Sequence, residues 1–189
     1  MINFNWEAPI IPGLSIAGIE LGASLEDFKF VLSSFCLDSE EGLYRLPGAP
    51  LLSLKIVEGG GRVYFVFSVA ELELTGWFSQ FPDSNKILSE TRALVVAFLD
   101  EKVFNVSVWM FDYFDSLGDQ KLANSYQGCL AEGIKLGSRM SYAASYFELG
   151  FDEGDEWFYA KNGGVIFGGS GGVDLDESVD QVIHMIMIV

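Results

Sequence analysis

The chain has 189 residues, half of them hydrophobic and 14% aromatic, and sets 27 acids against 11 lysines and arginines for a formal net charge of −16. A chain of this size buries roughly 70% of its unfolded surface, and its apolar content is the opposite of the disordered signature, so it folds without staples. The negative charge excludes nucleic acid and anionic membrane surfaces as long-range attractants and favours a basic partner.

The opening MINFNWEAPIIPG has no charged segment followed by a long apolar run, so no secretory signal is expected. The longest apolar stretches, Ala93 to Leu99 and Met185 to Val189, are strand-sized and far below the about 18 residues of a membrane helix. The expectation is a cytoplasmic protein with no membrane partner. Cys36 and Cys129 are too few for a disulfide scaffold and have no zinc-ligand spacing, so buried reduced thiols are expected.

The first element follows GIELG, Gly18 to Gly22. Leu25, Phe28, Val31, Leu32 and Phe35 share one helical face, with Ser24 in the N-cap position ahead of Glu26 and Asp27. An acidic turn from Asp38 leads into an aromatic strand, and a second strand, LLSLKIV, follows the bend at Pro47 to Pro50. Val63 to Phe78 reads as strands, the later part alternating acid with leucine. Thr91 to Phe111 is the clearest hairpin, two apolar runs meeting at Asp100-Glu101-Lys102. Its second arm alternates Val103, Asn105, Ser107 and Trp109 with Phe104, Val106, Val108 and Met110, so the second set carries the apolar side. Phe111 to Gly133 keeps no period and reads as a connector.

GIKLG, Gly133 to Gly137, then repeats the earlier junction with the middle charge reversed, Lys135 for Glu20. A second helical face follows in Met140, Ala143, Ala144 and Phe147, with Ser138 as cap and Gly150 as stop. An acidic turn from Asp152 leads again into an aromatic strand, and VIF follows the bend at Asn162-Gly163. QVIHMIMIV, at the end, is apolar enough for a central strand. Matched order over about 40 residues is the signature of an internal repeat. The predicted fold is α+β: two tandem repeats of a short helix followed by antiparallel strands, at about 14–111 and 131–189 with a connector at 112–130. They are expected to pack as one domain, 1–189, with helices on one sheet face.

A unit of GI-x-LG-x-S, short helix and antiparallel strands, present twice, resembles the helix-plus-sheet repeat of beta-lactamase inhibitory protein and of small outer-membrane-assembly lipoproteins. The phrase carried by Tyr126, Gly128, Leu130, Gly133, Ile134, Leu136 and Gly137 is also similar to one found in cytosolic immunity proteins of bacterial contact-dependent and polymorphic toxin systems. The missing lipobox and signal argue against the lipoprotein branch and against an extracellular inhibitor. The immunity resemblance implies a protein that binds and neutralises a cognate toxin.

Candidate chemistry is sparse. His184, the one histidine, lies in the most apolar strand and reads as a core or sheet-edge residue, and no GxSxG surrounds a serine. Asp174, Asp176 and Ser178 mimic the start of a calcium loop, but Val179 and Met185 stand where glycine and glutamate belong, so no metal is expected. The glycines of Gly168 to Gly172 and Gly59 to Gly61 lack a phosphate-loop ending and read as flexible turns, so no cofactor is expected. Between Glu148 and Val189 stand nine acids and one base, Lys161, beside Trp157, Phe158 and Tyr159. On one reading the negative charge steers a basic partner and aromatic anchors slow its release; on the other the acids only keep an apolar chain soluble while the aromatics fill its core. The candidate partner-binding residues are Asp152, Glu153, Asp155, Glu156, Trp157, Asp174, Asp176 and Glu177. The expected function is therefore a non-enzymatic protein-binding module, with no catalytic residue, facing a basic protein such as a cognate toxin domain. An enzyme or small-molecule binder with a pocket between sheets, and an adaptor using a sheet edge, are the competing readings.

Overall fold

A computed structural model describes residues 2–71, 91–110, 124–161 and 163–189. The leucine-acid alternation expected beyond Glu71 and the first part of the connector lie outside the described residues. Among the described residues strands dominate the regular structure, with two short helices, so the fold is mixed and mostly β. A small hairpin, β1 (Ser15–Ile16) and β2 (Ile19–Glu20), precedes helix α1 (Leu25–Ser33). Next come β3 (Cys36–Asp38), β4 (Leu43–Tyr44), β5 (Leu52–Gly59), β6 (Arg62–Val69), β7 (Arg92–Leu99) and β8 (Lys102–Trp109). Helix α2 (Met140–Ala144) leads to β9 (Leu149–Asp152), β10 (Trp157–Ala160), β11 (Val165–Gly169) and β12 (Ile183–Ile188). Ten of these strands form one antiparallel sheet in the order β3-β4-β5-β6-β7-β8-β12-β11-β10-β9. The last strand of the chain thus pairs in the middle of the sheet, as its even apolarity predicts.

Helix α1 forms as expected. Ser24 is extended and its Oγ accepts from the Asp27 amide at 3.0 Å, while Phe28 and Leu32 are buried and Phe28 packs edge-on against Phe65 and Phe98. Phe35, placed on the same helical face by its spacing, lies past the helix end, where it packs against Phe4. Helix α2 is shorter than its pattern. Arg139, not Ser138, takes the N-cap position, because the Ser138 carbonyl accepts from the Ile183 amide at 2.8 Å and its Oγ from the Lys135 amide at 3.1 Å. Ala144 is exposed, Phe147 lies beyond the helix against Phe167, and Gly150, expected as the stop, sits within β9 beneath the Tyr159 ring. Cys36 and Cys129 are free thiols and half-buried.

The β7–β8 turn uses positive φ at both Asp100 (50°) and Glu101 (60°), the geometry that matches the twist of flanking strands. One correction concerns alternation in β8. Ala97 pairs with Asn105 and Phe98 with Val103, so Phe104 is an extra, bulged residue. The bulge returns Val103 to the buried side with Val106 and Val108, and leaves Phe104 under the Arg62 guanidinium at 5.3 Å.

The same local geometry occurs at two places. Gly18, Gly22, Gly133 and Gly137 all have φ between 73° and 82°, the left-handed region that favours glycine. In the first corner Gly22 N donates to Val103 O (2.8 Å), Val103 N to Ala23 O (2.9 Å) and Leu25 N to Glu101 O (2.8 Å). In the second, Gly137 N donates to Ile183 O, Ile183 N to Ser138 O and Met140 N to Gln181 O, each at 2.8 Å. The β11–β12 pair repeats the β7–β8 bulge: Gly168 pairs with Met185 and Gly169 with Ile183, leaving His184 extra. Asp38 Oδ1 accepts from the amides of Glu40 and Glu41, and Asp152 Oδ1 from those of Gly154 and Asp155. Strands β8 and β12 meet through Val106–Ile188, Ser107–Met187 and Val108–Ile186, a register that is unchanged when the two strands are exchanged.

One sheet face carries the core. Phe65, Val96, Val106, Ile188 and Val165 form a cross-strand row on that face, where α1 and Phe147 also pack. The other face carries the row Lys55, Val66, Val95, Ser107, Met187, Ile166 and Tyr159. At the N-terminus, buried Tyr126 donates to Ala8 O and accepts from Ala17 N at 3.1 Å, and burial, above all, pushes its pKa up to about 12.

Candidate partner-binding surface

The acidic segments near the C-terminal end converge. Glu153 and Glu156, on the β9–β10 turn, and Asp174, Asp176 and Glu177, on the loop between β11 and β12, line one groove of about 440 Å³ with Phe151 and Val173. The turn is shaped by Asp152, whose carboxylate is held by the Gly154 and Asp155 amides, and by Glu156, which adopts φ 59°. The loop is shaped by Gln181, which is buried. Its Nε2 donates to Val173 O (2.7 Å) and Ser178 O (3.0 Å), and its Oε1 accepts from Gly171 N (3.0 Å). A Cβ at Gly169 would come within 2.4 Å of Gln181 Oε1, and one at Gly171 within 2.9 Å. The glycines read as flexible turns are therefore partly strand, at Gly168 and Gly169, and they make room for a buried amide.

A second hollow, of about 510 Å³, lies on the sheet face opposite the core. Tyr64 and Val66 of β6, Arg92 and Val95 of β7, Asn105, Ser107 and Trp109 of β8, Trp157 of β10, and His184 and Met187 of β12 line it with Val57. Trp109 organises its floor: the indole N–H donates to Ser107 Oγ at 2.9 Å, and the Arg92 guanidinium lies 3.9 Å from the ring centroid. The centroid of the His184 ring sits 6.0 Å from that of Trp109. Burial first, and the Arg92 charge second, lower its pKa to about 4, against a hydrogen bond with the Gly169 backbone that raises it. A neutral imidazole with so low a pKa is a weak proton acceptor near pH 7.

A smaller hollow of about 220 Å³ joins the two. Glu156 and Gly172 belong to it and to the acidic groove, whereas Trp157 and His184 belong to it and to the aromatic cavity. Of the eight residues singled out from sequence, Glu153, Glu156, Asp174, Asp176 and Glu177 lie in the groove, and Asp155 and Trp157 in the joining hollow. Asp152 is drawn into its own turn. Phe158, named with Trp157 as a surface aromatic, is buried in the core, while Tyr159 is exposed. Sequence reasoning missed Arg92, Tyr64 and Trp109, and set His184 aside. Their one signal was polar alternation in β8, Asn105, Ser107, Trp109, which marks a face that is not core.

Among the described residues no helix is long and apolar enough to cross a membrane. Comparison with family models, curated proteins and solved structures found no match for this chain.

Proposed function

We propose that the chain is a non-enzymatic protein-binding module for a basic protein partner, built from two copies of one helix-plus-strand unit. The recurring corner hydrogen bonds, hairpin bulge and aspartate turn support the duplication, with the β5–β6 hairpin as an addition in the first copy. The observation that carries the binding reading is the continuous strip from five groove carboxylates, past Trp157, to an aromatic cavity. Such a strip supplies long-range attraction at one end and apolar area at the other, which govern encounter and release respectively. With the resemblance to immunity proteins, the partner is a cognate toxin domain met in the cytoplasm, whose basic active-site or substrate-entry surface this strip covers. Inhibition by coverage needs no reactive side chain.

The test is co-expression with the product of the adjacent gene, followed by co-purification and growth rescue. Changing Glu153, Glu156, Asp174 and Asp176 to lysine together is expected to weaken that complex by more than about tenfold and to flatten its salt dependence. These carboxylates are exposed, so the melting temperature should move by no more than about 2 °C. Unchanged affinity in the quadruple variant, with folding intact, would remove the acidic groove from the interface. A second reading, a small-molecule site, is favoured by one observation: the cavity volume falls within the roughly 300–1,000 Å³ of ligand pockets.

A further inference from the structure

Resting on the protein-binding reading above, we infer that the cavity on the sheet face opposite the core seats one aromatic side chain of the basic partner, within a short segment whose lysines or arginines enter the adjoining groove. The cavity offers apolar walls at Val57, Val66 and Val95 and aromatic ones at Tyr64, Trp109 and Trp157. It is matched to a ring and opposed to a cation. The Arg92 guanidinium already lies on Trp109, so a second positive charge in this partly dehydrated site meets like charge, whereas a neutral ring gains from the aromatic walls and from the guanidinium. The groove has the reverse preference, with Glu153, Glu156, Asp174, Asp176 and Glu177 along its sides.

The two preferences sit side by side. Glu156 faces the groove and Trp157, the next residue, faces the cavity, so they are one about 3.8 Å step apart along the chain. Ring and cations therefore belong to one segment a few residues long. The floor between them is low because Gly169, Gly171 and Gly172 put no side chain there, and Gln181 and Glu156 pack closely enough to exclude one. Charge complementarity along the strip selects a basic protein segment over a free aromatic metabolite, which would use the cavity alone.

The probes are two capped tetrapeptides, acetyl-Lys-Phe-Lys-Lys-amide and acetyl-Lys-Ala-Lys-Lys-amide, with acetyl-phenylalanine-amide as the charge-free comparison. They are titrated into the full ¹⁵N-labelled chain, watching the indole N–H signals of Trp109 and Trp157. The phenylalanine peptide should bind roughly ten- to a hundredfold more tightly than the alanine peptide and should shift both indole signals. Val95→Trp, which fills the cavity, should abolish that difference and leave the alanine peptide unaffected. Glu153→Lys with Glu156→Lys should weaken both peptides. Where Val95→Trp fails to fold, Trp157→Ala carries the same comparison. Equal binding of the two peptides, still sensitive to the lysine changes, overturns the aromatic seat and leaves the protein-binding reading standing. Binding of acetyl-phenylalanine-amide as tight as that of the phenylalanine peptide makes the cavity a small-molecule site and overturns the inference. No binding of either peptide at millimolar concentration overturns both.

Discussion

The β7–β8 and β11–β12 hairpins share a register and a bulge but put different side chains into it. At the first, Ala97 and Phe98 face the bulge, Phe98 is buried in the core beside Phe28, and the extra residue is Phe104. At the second, the matching positions are Gly168 and Gly169, and the extra residue is His184. A Cβ on Gly168 would lie 3.2 Å from the His184 ring, and one on Gly169 would meet Gln181 and Phe158. The first hairpin spends its volume on core packing. The second trades that volume for a histidine on the face opposite the core and a buried glutamine that holds the acidic loop. One backbone thus serves as scaffold in one half of the sheet and as the frame of the candidate surface site in the other.

The corners feeding these hairpins differ in the same way, and the largest expected effect lies there. Gly18 and Gly133 both have left-handed φ, but a Cβ at Gly18 would stand 1.8 Å from the Asn3 carbonyl oxygen, whereas nothing lies within 4 Å of one at Gly133. The close approach comes from the N-terminal arm, whose Asn3 and Asn5 amides donate to Gly18 O (2.9 Å) and Ala17 O (3.1 Å). Gly133→Ala should cost about 1 kcal/mol from backbone strain alone. Gly18→Ala should cost about 4 kcal/mol, strain plus displacement of the arm, and at the extreme prevent folding. Urea denaturation of both variants reads the difference, and equal costs would mean that the arm yields freely.

A smaller effect separates Phe104 from His184. The folded pKa of His184 is lowered from 6.5 to about 4, so between these values the unfolded chain binds a proton that the folded chain refuses. Stability from this group is present above pH 6.5 and is lost as pH falls towards 4, by up to about 3 kcal/mol. The groups that set the shift are its own burial and Arg92, opposed by the Gly169 backbone. His184→Phe, which copies the residue at the matching bulge, should remove this slope. Urea midpoints for wild type and variant from pH 7 to 4 give the comparison, in which the carboxylates cancel. Parallel profiles would show that His184 is protonated as easily folded as unfolded.

What the sequence revealed follows from which interactions are local. Ser24 with Asp27, the Asp100-Glu101 turn and the end of the chain as a central strand are written in neighbouring residues, and each appears where expected. The convergence of the acids was half visible, since Glu153 and Glu156 lie on one turn, but their meeting with Asp174, Asp176 and Glu177 depends on Gln181, a single residue with no motif. The bulges were invisible because a one-residue insertion leaves composition unchanged while moving Val103 to the opposite face. The aromatic cavity needed strand order. Tyr64, Trp109 and Trp157 come from β6, β8 and β10, and only the pairing of β12 with β8 brings the last of them near the others.

The smallest expected effect tests whether the site in the second half depends on that glutamine. Glu101 and Gln181 do the same backbone work, each carbonyl accepting from the residue that opens a helix, Leu25 or Met140. Their side chains part: Glu101 is exposed on its tight turn, and Gln181 is buried among Gly171, Val173 and Ser178. Glu101→Gln should change stability by less than about 0.5 kcal/mol. Gln181→Leu keeps the volume and strands one amide and two carbonyls, which should cost about 2 kcal/mol. It should also raise amide hydrogen exchange across residues 171–178, leaving exchange in β7 and β8 unchanged, because the lost bonds are local to that loop. Slow exchange retained in the loop despite the lost stability would mean that the groove is held by Ser170, whose amide donates to Val182 O and whose Oγ accepts from Val182 N, and that Gln181 contributes packing alone.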